Sequence, residues 1–241
     1  MIIDSHVHAG HADGLVYSWE TFADIEVSLE RMDKAGIDKA VILPIGSHDF
    51  QRRNREIAEI VRRHPSRLFG YAKVNQQEDA GRIAPMLAEA FEQLRLRGLK
   101  LHGHPNREIM EAMAHYRKPL LVDVKGEVYP LRYAAESYPD VPIIIAHMGR
   151  FLSIDEQVRL TTLWLAQRHP NVYFDTSSVQ DHEWLETAVR EGLCHKMIFG
   201  SDGPVSHCRV ELSRIDVLGL TSEDRELVLW KNIARLIGEP T

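Results

Sequence analysis

Met1-Ile2-Ile3-Asp4-Ser5-His6-Val7-His8 opens the chain. Ile2, Ile3 and Val7 are β-branched and apolar, which suits a half-buried strand. Successive side chains of a strand alternate between its two faces, so Asp4, His6 and His8 are expected on one side. Two imidazoles two residues apart at a strand end can grip one metal ion from the same direction, and neutral imidazole is the commonest protein ligand for such ions. Taken alone, a His-x-His pair is equally well two polar residues after a strand. The rest of the chain has to separate the two readings.

Working outward, the same pattern returns. Short apolar stretches alternate with amphipathic ones: strands are expected at 39–44, 68–74, 98–102, 119–124, 141–147, 171–175 and 196–200. Helical spacing is read between them, from about Trp19 to Ala35 and then over 50–64, 80–96, 107–116, 129–137, 154–168 and 181–191, with a closing helix from Ser222 to Leu236. Ile25, Leu29 and Met32 repeat at helical intervals, and Gly36 supplies the stop. Eight β-then-α units match a (β/α)₈ TIM barrel, an α/β fold of about 250 residues. No glycine-rich dinucleotide turn follows the first strand, which argues against an open doubly wound sheet. No linker or repeat interrupts the series, so residues 1–241 are read as a single barrel domain.

Composition narrows the function. The formal charge is −6, with 29 basic and 35 acidic residues intermixed. No basic stripe exists for a phosphate backbone, so nucleic acid is not the expected partner. The longest apolar run, Val141 to Ala146, is far too short to span a bilayer, and no leader peptide is read at the start. Cys194 and Cys208 form no metal-type pair and fit buried thiols in a reducing cytoplasm. Histidine is the outlier, with 13 in the chain.

In a barrel the active site lies at the C-terminal ends of the strands. Those ends read His6/His8, Leu43, Lys73/Asn75, Lys100/His102, Asp123, His147, Asp175 and Ser201/Asp202. Each has an ordinary explanation: Asp175 as a helix cap, Asp202 as the turn of Gly200-Ser201-Asp202-Gly203-Pro204. Gathered round one cavity, they suit metal-assisted activation of water. A divalent ion lowers the pKa of bound water from about 16 to about 7 and polarises a carbonyl. Asp202 is the candidate to take a proton from water and His147 to hydrogen-bond the developing oxyanion. Lys73, Lys100, Lys125, Arg107 and Arg150 lie at or just beyond strand ends, where an anionic small molecule would find partners. Lys100, His102 and Arg150 are the candidate substrate contacts. His11, Asp13 and Tyr17 precede the first helix and are placed to form part of a lid.

Several motifs together resemble the amidohydrolase superfamily, in its amidohydrolase-related branch of metal-dependent hydrolases and decarboxylases. They are Asp4-Ser5-His6-Val7-His8, residues 29–41 (LERMDKAGIDKAV), Gly98-Leu99-Lys100-Leu101-His102, residues 141–149 (VPIIIAHMG) and residues 198–204 (IFGSDGP). The resemblance implies that His6, His8 and Asp202 bind the metal, and that His147 is a catalytic residue or a ligand. It also implies one divalent ion, zinc first with manganese or iron as alternatives. Lys100 sits where some members carry a metal-bridging carboxylated lysine; as an ammonium it would repel a second cation. The fifth strand usually ends Pro-x-x-x-His, but here it reads Pro119-Leu120-Leu121-Val122-Asp123. Aspartate is a legitimate ligand, so the expected set is His6, His8, Asp123 and Asp202; a chain that has lost its metal is the other reading. The function implied is hydrolysis of a small ester, lactone or amide, with non-oxidative decarboxylation as the alternative. Homodimers are common in the family.

Overall fold

The computed structural model describes residues 1–14 and 21–240. In chain order the strands are β1 (Ile3–His11), β2 (Phe22–Ala23), β3 (Lys39–Pro44), β4 (Leu68–Lys73), β5 (Gly98–His102), β6 (Leu120–Asp123), β7 (Ile143–Ile145), β8 (Val172–Asp175) and β9 (Met197–Ile198). The helices are α1 (Ile25–Ala35), α2 (Phe50–Arg63), α3 (Ile83–Ala88), α4 (Arg107–Tyr116), α5 (Leu131–Ser137), α6 (Glu156–Arg168), α7 (His182–Arg190), α8 (Cys208–Asp216), α9 (Ser222–Glu226) and α10 (Asn232–Ile237). A single sheet runs β2-β1-β3-β4-β5-β6-β7-β8-β9. Every pairing is parallel except the short β1–β2 hairpin. The two ends of the parallel run meet. Ser5 N–H donates to the Phe199 carbonyl at 3.0 Å, Asp202 N–H to His6 O at 2.7 Å and His8 N–H to Gly203 O at 2.6 Å. Those bonds bring the loop after β9 beside β1, as the barrel reading requires.

Two apolar layers follow from the period of two in the strands. Along β3, Val41 and Leu43 join Ile3, Tyr71, Leu121, Ile144 and Ile198 in the barrel interior. Ala40 and Ile42 face outward and pack with the helices. At the N-terminal end, α10 contributes Ile233, Ala234 and Ile237 to the interior cluster. The close packing leaves no room at Gly98, where a Cβ would fall 2.6 Å from the Tyr71 ring and 2.9 Å from the Pro119 carbonyl.

Most helix starts carry side-chain caps. Asp24, Asp49, Asn106, Asp155, Asp181 and Thr221 accept from the first-turn N–H groups of α1, α2, α4, α6, α7 and α9. The expected first helix begins later than its hydrophobic pattern suggested: Phe22–Ala23 pairs with β1, and α1 starts at Ile25 after the Asp24 cap. The beginning of that expectation, Trp19–Glu20, lies outside the described residues, as does Tyr17. The sixth expected strand is cut to Ile143–Ile145, because Ala146–Gly149 turns away. The helix α8 fills a stretch that carried no helix expectation.

Candidate metal centre

The β1 stretch departs from simple alternation. Its register against β3 shifts between Asp4 and Val7, so Asp4 does not share a face with His6 and His8. Asp4 instead lines a small outer cavity with Ser28, Arg31 and Met32 of α1 and Cys208 of α8. There its carboxylate accepts from Ser201 N–H at 2.9 Å, and burial pushes it up to about 7. The bulge thus gives Asp4 a latching place between β1 and the loop after β9, while His6 and His8 face the barrel mouth.

At that mouth a cavity of about 630 Å³ is lined by His6, His8, Lys100, His102, Asp123, Lys125, His147, Phe151, Leu152, Asp202 and Val205. His6, His147 and Asp202 each offer a donor atom there, all within 4.8 Å of one another. His6 Nε2 lies 3.4 Å and His8 Nε2 3.2 Å from the same Asp202 Oδ1. Two imidazoles and a carboxylate at this spacing are the donor types that divalent zinc, manganese or iron accept.

The surroundings fix how these donors are presented. His6 Nδ1 donates to Asp175 Oδ2 at 2.8 Å, which leaves Nε2 as the lone-pair nitrogen facing the cavity. Lys100 Nζ approaches that nitrogen at 3.3 Å. A carboxylate behind a ligating histidine fixes its tautomer and raises its basicity. Asp175 Oδ1 accepts from the backbone N–H groups of His147 (2.7 Å) and Ser177 (3.1 Å) and from Ser177 Oγ (2.7 Å). His147 Nδ1 donates to the Ser177 carbonyl at 3.0 Å, so its Nε2 remains for an ion or a substrate. The His6 and His147 rings stack with centroids 5.1 Å apart.

Burial sets the charge states. It holds His6 well below its ordinary value, with Lys100 adding to the shift. Burial also lowers His8 and the Lys100 ammonium, and brings Lys73 down to about 7 with help from Lys100. Burial alone would raise the Asp202 carboxyl, but His6, the His8 hydrogen bond and His147 outweigh it and hold it below the usual carboxylate range. Imidazoles beside an ionised carboxylate are donor types that a divalent cation accepts.

The expected site residues fall into three positions. His6, His147 and Asp202 form the 4.8 Å cluster, and His8 joins them through Asp202 Oδ1. Lys100, His102 and Asp123 share the cavity without joining the 4.8 Å cluster. Asp123 Oδ1 accepts from Lys125 N–H at 2.9 Å, and its Oδ2 lies 3.8 Å from His102 Nε2. Arg150 does not line the cavity; its side chain runs beside Gly126, where an added Cβ would sit 3.1 Å from its Cδ. His11 and Asp13 do not line it either. His11 pairs with Glu56 on α2, and Asp13 accepts from Ser47 and His48. Asp175 had an ordinary reading as a helix cap, and Ser177 was not singled out. The signal that could have raised them is a carboxylate and a hydroxyl two residues apart, directly after a buried strand.

The sequence model of a family described as "Amidohydrolase" matches residues 3–238. No curated protein matches the chain. Among solved structures, an amidohydrolase from Burkholderia multivorans with bound HEPES superposes with a TM-score of 0.81 at 15% identity, covering 100% of both chains. A probable 2-pyrone-4,6-dicarboxylic acid hydrolase from Acinetobacter baumannii, with citric acid bound, gives 0.74 at 15% identity, covering 98% of this chain and 99% of that one. A dihydroxybenzoic acid decarboxylase from Polaromonas sp., with manganese and 2-nitroresorcinol bound, gives 0.76 at 16% identity, covering 98% and 96%.

Proposed function

The chain belongs to the amidohydrolase family, and from that premise we propose that it is a metal-dependent hydrolase of a small anionic ester, lactone or amide. The observation that carries the reading is the convergence of His6, His147 and Asp202 donors within 4.8 Å at the floor of the cavity. His6, His8 and Asp202 would hold one divalent ion, zinc first, with His147 in reach of the same place. Manganese in the Polaromonas decarboxylase supports a divalent ion of this general class. Such an ion, when bound, supplies Lewis acidity that activates water and polarises a carbonyl.

The protein's own groups do the rest. Asp202, ionised and backed by Ser178 Oγ at 3.5 Å from its Oδ2, accepts a proton and returns it to the leaving group. His147 Nε2 is placed to hydrogen-bond the oxygen on which charge develops. Lys100 and Lys125 on the cavity wall attract an anionic group, and Phe151, Leu152 and Val205 give its apolar part a rim to rest on. Arg150 is left out of this set because it does not reach the cavity. We assign Asp123 to the wall with His102 rather than to the ion, since its Oδ1 accepts from Lys125 N–H and its Oδ2 faces His102 Nε2. A cytoplasmic location fits the two buried free thiols, and no helix among the described residues is long and apolar enough to cross a membrane.

Decarboxylation is the second reading, favoured by one observation. His147 is itself one of the clustered groups, where it could protonate a carbanion-like carbon, and a decarboxylase shares the fold. A panel of anionic lactones, esters and aromatic acids, assayed with the Zn²⁺- and Mn²⁺-loaded protein, separates the two. Ring opening or acid release without CO₂ supports hydrolysis. CO₂ release with no ring opening or ester cleavage anywhere in the panel overturns it in favour of the second reading.

A further inference from the structure

Arg159, on the inner face of α6, is fully buried. Among the described residues no carboxylate lies close enough to pair with it. Its hydrogen bonds all go to main-chain carbonyls: Nη1 donates to His147 O and to Met148 O (2.9 Å), and Nη2 donates to Ser153 O (2.6 Å) and Arg150 O (3.4 Å), while Asp155 and Asp181 act on its charge only from beyond ion-pair distance. A buried cation with no directly paired carboxylate is costly, so the position asks for a reason. Those four carbonyls belong to one irregular turn, in which His147 (φ 56°), Met148 (φ 47°) and Leu152 (φ 47°) all adopt left-handed backbone that non-glycine residues avoid. Gly149 completes the run, because a Cβ there would fall 2.6 to 2.8 Å from Val128, Thr162 and Val158. One turn of α6 further on, Thr162 Oγ1 also donates to Met148 O at 3.0 Å.

We propose that Arg159 is a positioning residue for His147: its planar fork holds the left-handed turn that aims the imidazole into the cavity. The same fork fixes the turn that carries the rim residue Phe151, whose ring stands edge-on to His147 at 5.3 Å. The guanidinium couples the deep end of the cavity to its mouth through a single side chain on a rigid helix. Lysine cannot substitute fully, since its donors radiate from one point and cannot span four carbonyls. The inference deepens the proposed site and rests on His147 having a role there, but its test needs neither metal nor substrate.

The test follows the ring N–H signals of ¹⁵N-histidine-labelled, metal-free protein by NMR, in the wild type, Arg159→Met and Arg159→Lys. Thermal melts establish that each variant is folded at the measuring temperature. The His147 ring N–H, bonded to the Ser177 carbonyl, is expected to exchange at least tenfold faster in Arg159→Met and to an intermediate extent in Arg159→Lys. The His6 ring N–H, bonded to Asp175, stays as in the wild type. An unchanged His147 signal in a folded variant overturns the proposal. So does equal loosening of both histidines, which marks a general loss of packing. If Arg159→Met does not fold, Arg159→Lys decides by the same criteria.

Discussion

At the residue scale, the site depends on groups that never reach the cavity. Asp175 orients His6 through Nδ1 and receives the His147 backbone N–H. Removing such a partner behind a ligating histidine typically costs 10–100-fold in metal affinity. Asp175→Ala should therefore bind Zn²⁺ or Mn²⁺ about 10–100-fold more weakly by isothermal titration, and an unchanged affinity would remove Asp175 from the account. Glu211 makes a separate prediction. It is buried on α8, and burial pushes its carboxyl up to about 7 despite Arg214 nearby. A carboxyl whose folded pKa is raised contributes stability below its unfolded value of 4.5, and that contribution is lost as pH rises towards 7. Glu211→Gln should match the wild type near pH 4 and exceed it at pH 8 by up to about 3 kcal/mol, read from urea melts at the two values. Sequence pattern brought out His6, His8, His147 and Asp202 because each carries metal-ligand chemistry within or just beyond a barrel strand. It misjudged Asp4 because a bulge shifts the register, and no local signal in Ile3-Asp4-Ser5-His6 announces one.

At the element scale, strands and helices are tied by a few buried amides. Asn54 on α2 accepts from Lys73 N–H at 2.8 Å and donates to Lys73 O at 3.0 Å, standing in for a strand neighbour where β4 ends. Asn171 donates to the carbonyls of Ala135, Tyr138 and Val141 before β8, and Asn232 to those of Cys194 and Met197 beside β9. Asn54→Ala would leave both Lys73 backbone groups unpaired in the interior, a loss of about 2–3 kcal/mol, which a denaturant titration measures. The regular elements were legible for a physical reason. β3, β5 and α4 combine the correct period with clear ends, such as the Asn106 cap of α4. The β7 end was not, because His147 and Met148 take left-handed backbone whose support comes from Arg159, remote from the strand in the pattern. The same holds for α8, a nine-residue helix in a stretch with weak apolar periodicity.

At the scale of the whole molecule, barrel closure turns residues about 200 positions apart into neighbours. Asp202 N–H donates to His6 O and His8 N–H to Gly203 O, so the first and last strands present their donors to one point. The first strand's two histidines acquire chemical meaning only there. Asp123, the strand end that departs from the family's usual histidine, shares the wall with His102 while the donor cluster forms without it. The most direct test of the account is the metal content of purified protein, dialysed against Zn²⁺ or Mn²⁺ and then metal-free buffer, by inductively coupled plasma mass spectrometry. The wild type and Asp123→Asn should each retain about one ion per chain, and Asp202→Asn, folded by circular dichroism, far less than half. A wild type that retains no metal, or a folded Asp202→Asn that retains as much as the wild type, would contradict a metal centre built on His6 and Asp202.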